Sequence, residues 1–169
     1  MNQYIKSSED LAKDLASILI SRGWTIALAE SCTGGLVCAT LTDLAGSSDW
    51  FERGYITYSN VAKTECLGVP VEMIESFGAV SKQVAKAMAE GVQAHAGVNI
   101  GVSITGIAGP TGGSPEKPVG TVCFGWAIND QINTISSATT KTMHFVGDRQ
   151  AVREQSCCYV LSELIALLN

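Results

Sequence analysis

Apolar positions recur every three or four residues between Ser8 and Arg22, where Leu11, Leu15, Ile18 and Leu19 form one stripe behind a serine cap and ahead of Gly23. That period predicts an amphipathic helix. Residues 24–30 (WTIALAE) then read as a short apolar strand, 35–46 as a second helix closed by Gly46, and 54–60 (GYITYSN) as an alternating strand. A short helical turn at 60–69 precedes a helix over 70–78 that opens on proline, and a longer helix is predicted over 81–97. Residues 98–106 (VNIGVSITG) form a strongly apolar strand that runs into a glycine- and proline-rich loop. The chain returns as a strand over 119–128, alternates as another over 132–145, and closes with a helix over 147–168.

The order α-β-α-β-α-α-β-β-β-α, without repeats or low-complexity segments, predicts an α/β fold: one domain over residues 1–169, with a mixed sheet covered by helices on both faces. Ligands of such sheets gather at strand ends. The stretches AESCTGG (29–35), TYSN (57–60) and SITGIAGP (103–110) would all lie there.

Composition narrows the function. A chain of 169 residues buries about 70% of its unfolded surface, so its core needs no disulfide or metal staple. The net charge of −5 argues against nucleic acid as a partner, but leaves room for a small anionic ligand held by one or two arginines. The N-terminus lacks the apolar core of a secretory signal, and no apolar run approaches the ~20 residues of a membrane span; a cytoplasmic protein without membrane contact is expected. The six cysteines mostly sit in apolar patterns such as GLVCATL, which predicts buried reduced thiols. No ligand spacing of His and Cys suggests a metal site.

The candidate chemistry centres on Ser31. It stands at a strand-to-helix turn, with its hydroxyl clear of the sheet and the amides of Thr33, Gly34 and Gly35 opening the next helix. Free N–H groups there can stabilise an oxyanion, and the glycines let a substrate approach. The plainer alternative is that Ser31 or Thr33 caps the helix. His95 and His144 lie in ordinary helix and strand contexts and make poor candidate bases. Lysine can replace histidine as the base for a serine. In YSNVAK, Tyr58 and Lys63 can point toward one cleft, whereas the plain reading is a core tyrosine and a surface lysine. With the ordinary pKa of about 10.4, only about one lysine in several thousand is neutral at pH 7, so Lys63 would need burial or a helix N-terminus to disfavour its charge. Cys32 is the rival nucleophile, or simply a thiol packed into the turn. The loop from Thr105 through Gly106 and Gly109 offers backbone amides for a phosphate, or merely connects two strands; it lacks the G-K-[ST] ending of a P-loop. Arg149, with Arg153 one turn along the same face, could pair with that phosphate or be solvated.

Taken together, AESCTGG, GSSDWFERGYITYSNVAK, GAVS, SITGIAGPTGGSPEKPVGT and GDRQAVR resemble the CinA C-terminal domain family in five blocks, in order, over nearly the whole chain. The resemblance implies a three-layer α/β/α sandwich that self-associates. It implies hydrolysis of the carboxamide of a pyridine mononucleotide, nicotinamide mononucleotide, to nicotinic acid mononucleotide and ammonia, with no metal or organic cofactor. It makes Ser31 the nucleophile and Tyr58 and Lys63 its activating partners. One departure stands at Val61, where family members with this activity often carry an acidic residue; the position should be exposed. A pyridine-nucleotide-binding module with little turnover, and an amidase for another substrate, remain open alternatives.

Overall fold

The computed structural model describes residues 6–132, 134 and 136–169. Helix α1 (Ser8–Arg22) leads into strand β1 (Ile26–Glu30), helix α2 (Leu36–Thr42) and strand β2 (Phe51–Ile56). Three helices follow, α3 (Asn60–Leu67), α4 (Val71–Phe77) and α5 (Lys82–Ala96). Strands β3 (Ile100–Gly106), β4 (Thr121–Ile128) and β5 (Thr139–His144) precede the last helix, α6 (Arg149–Leu168). The sheet order is β2-β1-β3-β4-β5. β1 runs parallel to both β2 and β3, while β4 is antiparallel to β3 and to β5.

Four helix starts are fixed by side-chain caps that the sequence advertises. Ser7, Ser59, Ser81 and Asp148 each accept the N–H three residues on, at the heads of α1, α3, α5 and α6. The cap at Ser59 explains why the strand predicted over 54–60 ends early: the chain leaves β2 at Ile56 and turns into α3. The turn predicted at 60–69 is a two-turn helix. Conversely, the helix predicted over 35–46 stops at Thr42, and Gly46 instead heads a single 3-10 turn, Ser47–Asp49. The strand predicted over 132–145 is confined to 139–144, with residues 133 and 135 outside the described residues. Just before it, Ser136 and Ala138 donate to the Gln93 and Glu90 side chains of α5 rather than to a neighbouring strand.

Alternation along β1 and β3 sorts the two cores. Ile26, Leu28, Ile100, Val102 and Ile104 face α1, α2 and α6. The apolar last helix thus covers the sheet, burying Val152, Val160, Leu161 and Leu164 against it. Ala27 and Ala29 face the opposite layer of α3, α4 and α5. On that face β3 and β4 present small residues, and α5 approaches at backbone distance. A Cβ on Gly101 would lie 2.3 Å from the Ala89 carbonyl, and one on Gly125 2.6 Å from that of Ala85. Ser103 uses the closeness to donate to the Ala85 carbonyl at 2.6 Å.

Topology then collects four segments at one sheet edge. β1, β2, β3 and β5 point the same way, so the turn after β1, the segment after β2, the loop between β3 and β4 and the start of α6 converge there. Gly101→Ala is expected to lower unfolding stability by about 1–3 kcal/mol through forced separation of α5 from the sheet, read as a lower urea midpoint.

Candidate active site

Ser31 follows β1 directly, and its N–H donates to the Ile104 carbonyl at 3.0 Å. The alternation of β1 carries it to the α3 side of the sheet. Lys63 lies in the first turn of α3, and helical side chains lean toward the N-terminus. Its Nζ therefore reaches back to Ser31 Oγ at 3.1 Å, to the Thr57 carbonyl at 2.9 Å and to the Tyr58 carbonyl at 3.3 Å. Lys63 is 1% exposed and Ser31 8%. Among the described residues no carboxylate pairs with this ammonium; all three partners are neutral. Burial, the dominant effect, pushes the lysine pKa below its ordinary value.

The three partners suit either protonation state. An ammonium donates to all three oxygens. A neutral amine donates to the two carbonyls and turns its lone pair toward the Ser31 hydroxyl, which is the arrangement of a base poised on an alcohol.

Other expectations need correction. Among the described residues, the Tyr58 phenol makes no hydrogen bond to Ser31 or Lys63. Tyr58 is 57% exposed, and its hydroxyl accepts from Arg149 at 2.8 Å; only its main-chain carbonyl meets the lysine. Nor are the amides of Gly34 and Gly35 free. Gly34 N–H donates to the Ser31 carbonyl at 3.0 Å, and Gly35 N–H to the Glu30 carboxylate at 2.9 Å. Among the described residues, the N–H groups of Cys32 and Thr33 are the ones in this turn that donate to no other residue.

Thr105 spends its hydroxyl on the Ala79 carbonyl at 2.9 Å. Gly106 packs on the turn, since a Cβ there would meet Cys32 Sγ at 3.0 Å. Gly109 has a positive φ of 81° and offers its carbonyl to Arg149 at 2.8 Å. Arg149 thereby ties the glycine loop to Tyr58, while Arg153 donates to the Thr33 carbonyl at 3.0 Å. Neither arginine pairs with a carboxylate among the described residues.

Cys32 is buried, and that burial, helped by the charge of Glu30, pushes its thiol up to about 12. It is a protonated packing residue beside a serine. His95 and His144 bond to the carbonyls of Gly91 and Val119, away from the serine. Val61 stands exposed on α3. Among the described residues no group of three or more His, Cys, Asp or Glu side chains could hold a metal ion, and no helix is long and apolar enough to cross a membrane.

Among the described residues, three buried polar side-chain atoms lack partners: Thr33 Oγ1, Thr57 Oγ1 and Arg153 Nε. All belong to residues of this site or bonded to it, which is where unsatisfied groups concentrate when a ligand completes the set. Sequence reasoning passed over Thr57, Arg153's hold on the turn, and Glu30. The last had a signal: an ionisable residue on the apolar face of a strand, five residues before a glycine that heads a helix.

The family model for the CinA C-terminal domain matches residues 8–168. The chain is 49% identical to a nicotinamide-nucleotide amidohydrolase PncC of Enterobacter agglomerans, with 92% of each chain covered. It is 48% identical to the protein of that name from Escherichia coli K12, covering 91% of this chain and 90% of the relative. It also matches a longer putative competence-damage inducible protein of Symbiobacterium thermophilum at 45% identity, spanning 38% of that protein. The competence/damage inducible protein CihA of Agrobacterium tumefaciens superposes with a TM-score of 0.91 at 38% identity, over 100% of both chains.

A buried lysine leaves a stability signature. Its folded-state pKa lies below its unfolded value, so the unfolded chain holds the proton to higher pH, and stability gains from this residue as pH rises toward the ordinary lysine range near about 10.4. Below the folded value both states are protonated and the burial penalty is complete. Lys63→Met is therefore expected to be more stable than wild type at neutral pH, by a margin that narrows as pH rises, read from urea midpoints at pH 7 and 9.5.

Proposed function

The chain belongs to the CinA C-terminal domain family, and from that membership we propose that it is a nicotinamide-nucleotide amidohydrolase acting through Ser31 and Lys63. The substrate is the carboxamide of nicotinamide mononucleotide, and the products are nicotinic acid mononucleotide and ammonia. The observation that carries the mechanism is the 3.1 Å contact between buried Lys63 Nζ and Ser31 Oγ, with no carboxylate paired to the lysine among the described residues.

Neutral Lys63 takes the Ser31 proton as Oγ attacks the amide carbon. The Cys32 and Thr33 N–H groups are the donors left for the oxyanion, since the glycine amides are engaged. As the tetrahedral adduct collapses, the C–N bond breaks and the Lys63 ammonium returns its proton to the departing nitrogen, which leaves as ammonia. Lys63, neutral again, deprotonates water for attack on the acyl-Ser31 ester, releasing the carboxylic acid and restoring the serine. Every proton passes through one side chain, so the cycle calls for no metal or organic cofactor.

Arg149 receives the 5′-phosphate. Among the described residues its guanidinium bonds a phenol and a carbonyl and no carboxylate, which leaves its charge available to a dianion. Tyr58 serves by position: its carbonyl holds the lysine and its hydroxyl steadies the arginine. Residues 1–169 act as one amidohydrolase domain in the cytoplasm, self-associated, with no nucleic-acid partner.

Ammonia release from nicotinamide mononucleotide tests the reading. Ser31→Ala and Lys63→Ala are each expected to lose at least about 10³-fold in kcat. Arg149→Ala should raise KM roughly tenfold or more with a smaller change in kcat. Wild-type kcat should climb with pH through a midpoint below the ordinary lysine range, because Lys63 must shed its proton to act. A wild type that binds the nucleotide yet releases no ammonia would make the chain a binding module.

A further inference from the structure

We infer that Glu30 is a positioning residue for the amidohydrolase reaction: a buried carboxylate that shapes the nucleophile turn and, through its main chain, registers the base against it. This rests on the reading of Ser31 and Lys63 as the reacting pair.

Glu30 is 0% exposed. Alternation at the end of β1 sends its side chain toward α2, opposite to Ser31. There Oε2 accepts the N–H of Gly35 at 2.9 Å and of Val37 at 3.3 Å, and Oε1 accepts that of Cys38 at 2.7 Å. No lysine or arginine pairs with it among the described residues; three backbone N–H groups bond its oxygens, with the Cys38 thiol beside them. A carboxylate in this position draws the start of α2 back onto the end of β1 and closes the intervening turn, Ser31 to Gly34, into one shape.

The main chain of the same residue serves the other half of the pair. The Glu30 carbonyl accepts the Thr57 N–H at 2.8 Å, and the Thr57 carbonyl accepts Lys63 Nζ at 2.9 Å. One residue thus holds the segment that carries the nucleophile and the segment that seats the base. By occupying Gly35 it also decides which amides face the oxyanion, leaving those of Cys32 and Thr33.

Glu30→Gln keeps the shape but replaces one acceptor oxygen with an NH₂, which sets donor against donor at Cys38 or at Gly35 and Val37. Misplacement of a reacting group by about 1 Å can cost 10²-fold. The variant is therefore expected to lose roughly 10- to 100-fold in kcat for ammonia release from nicotinamide mononucleotide, with KM changed less than about threefold. Leu161→Ala, which opens a cavity in the α6 core far in sequence from the turn, supplies the stability control and should keep kcat within about twofold.

The inference is overturned if Glu30→Gln retains wild-type kcat, or if Leu161→Ala at equal loss of Tm loses as much. Should Glu30→Gln not fold, amide hydrogen exchange on the wild type decides: Gly35, Val37 and Cys38 are expected to exchange more slowly than Cys32 and Thr33, and the reverse order overturns the clamp. An inactive wild type with the expected exchange pattern would sink the amidohydrolase reading and not the clamp.

Discussion

A lysine ammonium taken out of water, with no carboxylate paired to it among the described residues, is a costly arrangement, and the site is organised around it. Charge on Lys63 is opposed by burial, and its hydrogen-bond partners among the described residues are dipoles: two carbonyls and a hydroxyl. The same three oxygens can satisfy a neutral amine, with its lone pair on the serine. The pocket consequently does not have to rearrange when the proton moves, which is the condition for one side chain to act as base and then as acid. A carboxylate placed here would hold the proton on the lysine and leave the serine an ordinary alcohol.

The surrounding architecture makes that pocket accessible to a short helix. Small residues on one face of β1, β3 and β4 let α5 settle at backbone distance, and α3 lies beside it in the same layer. The first turn of α3 then sits close to the end of β1. Because the neighbouring positions on β1 face opposite layers, Ser31 goes to the lysine and Glu30 to α2. Two adjacent polar residues at a strand end therefore take up unrelated environments: one beside the buried lysine, one held by the backbone N–H groups that open α2.

Selectivity between serine and cysteine follows from the same geometry. Cys32 has the more acidic group in water, but here it packs against Gly106 and lies near the Glu30 charge, and its thiol stays protonated. Around the rim the balance is different. Arg149 and Arg153, one helical turn apart, are engaged by carbonyls and a phenol while the net charge of the chain is −5. An anionic substrate would find its cations at the start of α6.

Much of this was legible in the chain before folding. Periodicity located the helices, the apolar strands and the mixed sheet, because burial of one face imposes a repeat of 3.6 or 2 that survives in any single sequence. The motif blocks singled out Ser31, Tyr58 and Lys63, and the GDR segment offered Arg149; the fold brings Lys63 to Ser31 and Tyr58 to Arg149. Short-range periodicity misjudged the ends where side-chain caps and long-range acceptors took over, as at Ser59 for β2 and at Gln93 and Glu90 ahead of β5. Which group each polar residue would meet depended on contacts between segments tens of residues apart. Tyr58 turned its phenol to Arg149 and its carbonyl to Lys63, and Glu30 claimed the amide of Gly35. Local sequence encodes which side of an element a residue occupies; the direction and competition of hydrogen bonds are settled only when the layers close and each donor is left with the acceptors within its reach.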